Sequence, residues 1–457
     1  MTVDRSWMQY FKETCPRAFS TELPSDNSIK TVFIDGQLLL QGPGAVKNWQ
    51  TWLQTNYIRP INRYLARPGI DNVVLAFDDH TFTPLAKGPT QAKRRSRSEV
   101  PSWQPHRPLP ENIPDNYDTL LFNRDFKARV IQFVVDNALR QVRFSDAAQR
   151  LVIDYTEAFF FTRDNRDIIT PIQVKANLGE CDVKFVRYLL WGPILLAAVD
   201  SDYVVIALCQ LEKCARESCI DPANAIYVRR LILREKQESS QSRSKRVHED
   251  EGCDEGPARK REISRPRREY EIVNCAAIFE QIHPRLVRFT PEHLHNSVFS
   301  LLSYFVAICG CDFTKGISWV TAKSITKNFS YLWPALCSGV TLDTATDAPQ
   351  VDARTLADKV VGRLWCQDQH RKSLGGLGSN APFESIYNHL LNDRAISLFR
   401  RERLISPEEL HCLVRNCNWT VQYWLSPEKC PGALDGPYGY RRERNNKVVF
   451  DMQDPLP

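Results

Sequence analysis

The chain contains 457 residues, of which 43% are hydrophobic and 25% charged, and its net charge is +6. This composition is typical of a soluble globular protein with one large domain or two, and so small an excess of positive charge does not by itself indicate nucleic acid. The fourteen cysteines include no CxxC pair, and no apolar run approaches the roughly twenty residues that span a bilayer. A zinc ribbon, a secreted disulfide framework and a membrane protein are therefore disfavoured. The charged, aromatic N-terminus is not a signal peptide, so we expect an intracellular protein.

Two acid-terminated strands are predicted in the first eighty residues. The segment Lys30–Leu40 contains the apolar run TVFI followed by Asp35, and Asn72–Phe77 is a second apolar run followed by Asp78. Apolar residues near helical spacing predict a helix over Trp49–Leu65 between them. Strand, helix and strand joined by short links are typical of the parallel sheet of an α/β fold.

A polar, basic and proline-rich insert follows these strands. Residues 83–120 contain the run AKRRSRSE, and the proline-rich part Pro101–Pro114 is expected to be extended rather than helical. An amphipathic helix is predicted over Asp125–Val142. The β-branched and aromatic residues of Arg150–Phe161 predict one further strand.

The stretch 175–208 holds the densest group of acids. It is predicted to form a helix, a tight turn, the buried strand Ile194–Val199, an acidic corner and a second strand. Two acids lie where the helix begins and two where the strand ends: Glu180, Asp182, Asp200 and Asp202. Carboxylates repel one another and resist burial, so such a cluster costs stability unless a cation neutralises it. The expected cation is Mg²⁺, which prefers oxygen ligands.

The strand predicted over Ala225–Leu233 is followed by a linker. Residues 236–268 are Ser-rich, then acidic, then basic, and they include few large apolar side chains. We expect disorder here, because the segment cannot bury enough surface to offset the entropy of ordering it. Its clusters Lys245–Arg246 and Arg259–Arg261 fit a two-part nuclear localisation signal, and they equally fit a solvated charge run. The protein is therefore expected to be nuclear, or otherwise cytoplasmic.

The part of the chain beyond the linker is predicted to be mainly helical. Ordered structure resumes over Glu271–Phe289, and the segment Gly310–Ile317 reads GCDFTKGI. The predicted helices are His293–Cys309, Ser318–Phe329, Pro382–Leu398 and Pro407–Val414.

Acidic residues thus recur at the ends of the predicted strands and helices. Asp35, Asp78 and the pair Asp200/Asp202 follow strands, and the carboxyl ends of parallel strands are where ligands collect. If these strands are neighbours, the carboxylates could hold two divalent ions about 4 Å apart, which would clamp a phosphodiester for attack by water. Each acid alone also has a simpler interpretation as a turn residue or a helix cap. The recurrence favours the metal site.

The order of these motifs resembles the flap endonuclease/XPG-like (Rad2-type) family of structure-specific 5′ nucleases. The matching segments are VFIDG, LAFDD, GECD, VDSD and GCDFTKGI, within roughly residues 30–330. The resemblance implies an α/β, PIN-like 5′-nuclease fold with a mainly parallel central sheet flanked by helices. It divides the chain into an N-terminal extension, a nuclease core with an insert at 83–120, a linker, a helix–hairpin–helix-like part and a C-terminal helical extension: 1–28, 29–235, 236–268, 269–340 and 341–457.

The resemblance also implies roles for individual residues. The ligands of one Mg²⁺ ion or its waters would be Asp35, Asp78, Glu180 and Asp182. The ligands of the second ion would be Asp200, Asp202 and Asp312, and Mn²⁺ could replace Mg²⁺. Lys87 and Arg94 match the family's phosphate-steering lysine and arginine, with Arg95 as the alternative if the register slips. The further candidates for contacting nucleic acid are Lys93, Arg95, Arg97, Lys315, Gly316, Lys323 and Lys327.

The function implied by the resemblance is a Mg²⁺-dependent DNA endonuclease or 5′ exonuclease. Its partner would be DNA with a single-strand/double-strand junction, in replication, repair or recombination. The chain departs from the family in its N-terminal extension, in its proline-rich insert and in Ser318–Thr321, where the family has a further glycine; it also shows no clear sliding-clamp box. Two alternatives therefore stay open: a catalytically weak or inactive nuclease-like protein that binds nucleic acid or a partner, and a PIN-like RNA nuclease.

Overall fold

The computed structural model describes residues 5–24, 28–40, 46–79, 101–104, 107–164, 170–172, 178–198, 200–218, 226–232, 269–311, 314, 316–317, 320–344, 347–367, 381–393, 404–428, 440–442 and 448–450. The predicted linker 236–268 and residues 83–100 of the insert lie outside these ranges. Within them, no helix combines the length and the apolar character needed to cross a bilayer.

One large sheet organises the described residues. Its nine strands are β1 (Phe19–Ser20), β2 (Thr31–Asp35), β3 (Asn72–Ala76), β4 (Arg150–Asp154), β5 (Ala158–Thr162), β6 (Thr170–Pro171), β7 (Ile194–Ala197), β8 (Ile226–Ile232) and β9 (Glu269–Asn274). They are ordered β1-β9-β8-β7-β2-β3-β4-β5-β6. The five inner strands, β8 to β4, are parallel, and the strands outside them pair antiparallel. The predicted α/β class, with a mainly parallel central sheet flanked by helices, is confirmed.

The chain crosses this sheet in two directions. From β2 it proceeds to β3 and β4 on one side, and it later returns to β7 and β8 on the other side. The strand order therefore reverses between β2 and β7, and in open α/β sheets ligands bind outside the carboxyl ends of the strands at such a point. Every residue of β3, and β2 as far as Ile34, is buried, as expected of parallel strands covered on both faces.

Helical segments separate many of the strands and dominate the described residues beyond β9. In chain order they are Arg5–Thr14, Pro16–Ala18, Gly36–Leu40, Trp49–Leu53 continuing through Gln54–Ile58 to Arg59–Leu65, Tyr117–Leu120, Arg124–Gln141, Cys181–Lys184 continuing as Phe185–Trp191, Asp202–Glu217, Cys275–Val287, Glu292–Ser297 continuing as Val298–Cys309, Ala322–Lys327, Phe329–Cys337, Ala353–Thr355 continuing through Leu356–Val361 to Gly362–Gln367, Phe383–Asn392 and Pro407–Leu425. Two small hairpins pair β10 (Val340–Leu342) with β11 (Pro349–Val351) and β12 (Tyr440–Arg442) with β13 (Val448–Phe450).

The second strand predicted within residues 175–208 is wrong. Asp202–Glu217 is a helix, and it is buried from Asp202 to Cys214. Its first part, YVVIAL, is a continuous apolar run, and such a run lacks the amphipathic period that distinguishes a helix from a buried strand. The topology explains why a helix forms here, because β7 leads to its parallel neighbour β8, and parallel neighbours need a crossover connection.

The single strand predicted over Arg150–Phe161 is a hairpin. β4 and β5 pair antiparallel, and the turn between them is closed by a 3.0 Å bond from the Tyr155 amide to the Glu157 carbonyl. The β-branched and aromatic residues suit both strands equally, so residue type alone gives no sign of the turn.

The N-terminal residues belong to the folded body. Trp7 and Phe11, one helical turn apart on Arg5–Thr14, are both fully buried. The helix contacts Ala322–Lys327, and β1 then extends the sheet beside β9. The predicted extension of residues 1–28 therefore contains a packed helix and an edge strand.

The C-terminal helix Pro407–Leu425 is also part of the core. It packs against Val298–Cys309 and Asp202–Glu217. The Gln210 side-chain amide donates to the Trp424 carbonyl at 2.6 Å, which satisfies a carbonyl at the helix end. Most of the described residues of 341–457 are helical, and Pro407–Leu425 supports the helix that follows β7.

Candidate active site

The three strands predicted to end in acid are direct neighbours. β2 lies between β3 and β7, with Asp35 beside Ala76 and Ile34 beside Ala197. Asp78 follows the last residue of β3 by two positions, and Asp200 follows the last residue of β7 by three. The sheet therefore places these three acids at the ends of adjacent parallel strands, at the edge where the strand order reverses.

Asp35 both begins a helix and faces another acid. Its Oδ1 accepts hydrogen bonds from the amides of Gln37 at 2.9 Å and Leu38 at 3.4 Å, at the start of Gly36–Leu40. Burial raises the pKa of Asp35 to about 6, and the negative charge of Asp78 adds to the effect. The two carboxylates are thus near enough to oppose each other's ionisation.

Glycine is required directly after Asp35. A Cβ at Gly36 would lie 2.5 Å from Cε1 of Phe77 and 2.7 Å from the carbonyl oxygen of Ala76. Contacts this short would force β2 and the end of β3 apart. The glycine lets the two acid-bearing strand ends approach, so the Asp-Gly pair in the sequence is more than a turn signal.

Asp78 binds the segment that carries Glu180 and Asp182. Its Oδ1 accepts a 2.9 Å hydrogen bond from the Cys181 amide, and the Asp79 amide donates to the Gly179 carbonyl at 2.7 Å. Glu180 is the buried N-cap residue of Cys181–Lys184, and Asp182 lies in its first turn. The GECD and LAFDD motifs are therefore in direct contact.

Asp200 and Asp202 form the corner between β7 and the next helix. Oδ1 of Asp200 accepts a 3.2 Å bond from the Asp202 amide, and Asp202, 2% exposed, begins the helix Asp202–Glu217. The next residue, Tyr203, donates its hydroxyl to Oδ2 of Asp35 at 3.4 Å. Burial, followed by the charge of Asp35, raises the pKa of Tyr203, so its proton is retained for this bond.

The thiol of Cys181 lies among these groups. It donates to the Ala76 carbonyl at 3.4 Å, and burial together with Asp35 and Asp78 raises its pKa. Four segments are thus connected through polar contacts: the end of β2, the residues after β3, the residues around Cys181 and the residues after β7. Six of the seven predicted metal ligands lie on these four segments.

The motif GCDFTKGI follows a helix that returns to the same end of the molecule. Glu212 accepts bonds from the amides of Phe299 and Ser300, and Cys209, one turn earlier, lies 2.9 Å from the Ser303 hydroxyl. Asp202–Glu217 and Val298–Cys309 therefore run antiparallel. The start of Asp202–Glu217 and the end of Val298–Cys309 therefore lie at the same end of this helix pair.

The described part of this motif forms a closed loop. The Ile317 amide donates to the Ile308 carbonyl at 2.9 Å, and the Cys311 amide donates to the Thr314 carbonyl at 3.1 Å. Gly310 has φ of +103°, and a Cβ there would lie 2.8 Å from the Gly316 nitrogen, so both glycines serve this closure. Asp312 and Lys315 lie outside the described residues.

The predicted basic residues divide into two groups. Lys323 and Lys327 are exposed on Ala322–Lys327, a helix whose N-terminus is capped by Thr321 through a 3.1 Å bond from the Ser324 amide. Those of the insert lie outside the described residues: Lys87, Lys93, Arg94, Arg95 and Arg97.

A further acid at this edge was missed by sequence reasoning. Asp154 ends β4, beside β3, and is fully buried. Its carboxylate lies 3.0 Å from Lys184 Nζ and 3.0 Å from Arg187 Nη1, and it accepts a 2.7 Å bond from the Tyr188 hydroxyl. The run LVID ends in acid as TVFID does, which is the signal that could have revealed it.

The donor chemistry of this edge suits a hard divalent cation. Carboxylate oxygens lie at neighbouring strand ends, and the raised pKa of Asp35 indicates that the fold holds negative charges close together. Hard divalent cations prefer such oxygen ligands. In the described part of the chain, no three His, Cys, Asp or Glu side chains stand close enough together to bind a metal ion as they are placed. The seventh predicted ligand, Asp312, is not among the residues searched.

Comparison with known proteins adds no family to this geometry. No protein-family model matches the chain, and no curated protein matches it significantly. The site must therefore be interpreted from its own residues.

Proposed function

We propose that this protein is a Mg²⁺-dependent nuclease of the flap endonuclease/XPG-like type, with a PIN-like fold, that hydrolyses DNA phosphodiesters near single-strand/double-strand junctions. One observation carries the proposal: Asp35, Asp78 and Asp200 lie at the ends of three adjacent parallel strands, and burial, followed by the charge of Asp78, raises the pKa of Asp35. A fold that holds carboxylates together against their repulsion gains most from a bound cation.

In this proposal the two groups of acids divide the work. Asp35, Asp78, Glu180 and Asp182 hold one ion, and Asp200, Asp202 and Asp312 hold the second. Two Mg²⁺ ions in such a site activate water and neutralise the charge that develops on the phosphate. Tyr203 orients the Asp35 carboxylate, and the Cys181 amide orients Asp78.

The basic residues would bind the nucleic acid. Lys87 and Arg94, or Arg95 in a shifted register, are assigned to the scissile phosphate, where an arginine can bind two phosphate oxygens at once. The exposed side chains of Lys323 and Lys327, four residues apart on one short helix, are assigned to the backbone of the adjacent duplex.

A second candidate function is binding of nucleic acid or a partner without cleavage. It is favoured by the structural work that the acids already do: Asp35 binds the amides at the start of Gly36–Leu40, and Asp78 binds the amide of Cys181. Such contacts would keep both residues in place in a protein that no longer cuts. Cleavage of RNA by a PIN-like site is the third candidate.

One assay separates the three candidates. Purified protein is incubated with 5′-flap, bubble, four-way-junction and single-stranded RNA substrates, each with Mg²⁺, with Mn²⁺ and with EDTA. The proposal expects cleavage of junction DNA that EDTA abolishes and that Asp200→Asn/Asp202→Asn reduces by about 100-fold or more. Cleavage that persists in EDTA or in the double variant contradicts it, and binding without cleavage supports the second candidate. Cleavage of RNA alone supports the third.

Nuclear localisation is proposed from the two basic clusters of the linker. A fluorescent reporter fused to residues 236–268 is expected to enter the nucleus. The matched control replaces Arg259, Lys260 and Arg261 with Gln. A cytoplasmic reporter, or equal nuclear signal from the control, contradicts this assignment.

A further inference from the structure

A lysine is completely buried in the wall of the proposed metal site. The Lys184 side chain has no exposed surface, and its Nζ lies 2.8 Å from the Phe77 carbonyl and 3.0 Å from the Asp154 carboxylate. It also donates to the Tyr155 carbonyl. Removing an ammonium group from water costs several kcal/mol, so it needs this complete set of oxygen partners.

These contacts bind the GECD segment to two strand ends. Lys184 ends the helix that begins at Cys181, whereas Phe77 directly precedes Asp78 and Asp154 ends β4. The segment after β3 is therefore held three times: by Lys184 at Phe77, by the Cys181 amide at Asp78, and by the Gly179 carbonyl at the Asp79 amide. Losing the lysine contact removes the bond at Phe77, the residue next to Asp78.

Asp154 is the counter-charge of Lys184. Lys184, Arg187 and Tyr188 lie at positions i, i+3 and i+4 of one helical segment, and all three reach the Asp154 carboxylate. Two cations and a hydroxyl occupy this carboxylate, so it compensates their charge instead of joining the ligand set.

We infer that Lys184 is a positioning residue of the metal site: a buried cation that, through its bond to the Phe77 carbonyl, holds Asp78 against the segment of Glu180 and Asp182 before a metal binds. This inference rests on the proposed function. Groups that orient metal ligands typically contribute 10–100-fold to metal affinity.

The test compares Lys184→Met with Arg187→Met in the full chain. Both variants remove one cation from Asp154, but only Lys184 contacts the segment that carries Asp78. Mn²⁺ affinity is measured by isothermal titration calorimetry, and the unfolding midpoint by circular dichroism. We expect Lys184→Met to bind Mn²⁺ about tenfold more weakly or worse, with cleavage largely restored at saturating Mn²⁺. Arg187→Met should lower the midpoint while leaving the Mn²⁺ affinity unchanged.

Three results would overturn the inference. A Mn²⁺ affinity of Lys184→Met equal to that of the wild type would show that Lys184 is only structural, even if the wild-type protein cuts DNA. An equal loss of affinity in both variants would show that general destabilisation is responsible. A wild-type protein that binds no Mn²⁺ would remove the proposed function together with this inference. If Lys184→Met does not fold, Lys184→Gln replaces it; the shorter, uncharged glutamine is expected to lose the bond to the Phe77 carbonyl and to weaken Mn²⁺ binding in the same direction.

Discussion

Asp35 and Asp154 occupy the same position in neighbouring parts of one sheet and have opposite surroundings. Each ends an inner parallel strand, and β3 is the one strand between them. Asp154 contacts Lys184, Arg187 and Tyr188, so its charge is compensated within the chain. Asp35 faces the charge of Asp78, and burial raises its pKa.

The difference shows that position at a strand end does not by itself decide which charges surround a carboxylate. Both aspartates satisfy the rule that ligands gather at the carboxyl ends of parallel strands. What separates them is the charge beside them: Asp154 contacts Lys184 and Arg187, whereas Asp35 faces Asp78, and in the proposed function a bound cation balances that pair. The contrast leads to mutations with opposite effects on stability.

The largest effect is expected at Asp154. Asp154→Asn leaves Lys184 buried without its counter-charge, and breaking a buried ion pair from one side costs about 3–5 kcal/mol. Urea unfolding measures this loss. Asp71→Asn is the matched control, because Asp71 is 59% exposed and its 3.8 Å pair with Lys30 lies at the surface, where a pair contributes about 1 kcal/mol or less. Equal stability of Asp154→Asn and the wild type would contradict the compensated role of Asp154.

The opposite sign is expected at Asp35. Its pKa of about 6 in the folded protein lies above the ordinary value of 3.8, so the folded state binds more protons than the unfolded state between these values. Without divalent metal, its contribution is fully present below pH 4 and is lost as the pH rises through 6. Asp35→Asn removes that loss, so at pH 7.5 in EDTA the variant should be more stable than the wild type, on the order of 1–3 kcal/mol.

The control for Asp35 is the pH itself. At pH 4 most of the wild-type Asp35 is protonated in the folded state, so the gain from Asp35→Asn should shrink there. Unfolding curves at pH 4 and 7.5 in EDTA measure both values. A variant that is less stable than the wild type at pH 7.5 would show that the charged carboxylate is compensated, and the contrast with Asp154 would disappear.

The strands that carry the site could be predicted from short stretches of sequence alone. TVFI before Asp35 and NVVLA before Asp78 are apolar runs of strand length, and adjacent parallel pairing follows from the βαβ pattern. The helix Asp202–Glu217 could not be predicted in this way, since YVVIAL is apolar on every side and resembles a strand. Only the crossover from β7 to β8 requires it to be helical.

The partners of each acid could not be predicted. Asp154 ends an apolar run as Asp35 does, but its cations, Lys184 and Arg187, come thirty or more positions later and reach it only through the fold. Interpreting Arg150–Phe161 as one strand also hid the strand end. Position at an edge can be inferred from local pattern, whereas charge compensation depends on tertiary contacts.

The smallest expected effect concerns Tyr423, which connects the C-terminal helix Pro407–Leu425 to the segment before Glu180. The Tyr423 hydroxyl donates to the Leu178 carbonyl, just before Gly179 and Glu180, and both groups are buried. Tyr423→Phe leaves that carbonyl without this donor, which typically costs about 1 kcal/mol in the free energy of unfolding.

The informative measurement for Tyr423→Phe is its Mn²⁺ affinity, compared with the affinities of the wild type and of Lys184→Met. Three contacts that do not involve Tyr423 already fix the GECD segment to the end of β3. We therefore expect urea unfolding to show the loss of about 1 kcal/mol while calorimetry shows a Mn²⁺ affinity much closer to wild type than that of Lys184→Met. If Tyr423→Phe lost more Mn²⁺ affinity than Lys184→Met, the C-terminal helix Pro407–Leu425 would hold the proposed ligands in place, and the buried lysine would not.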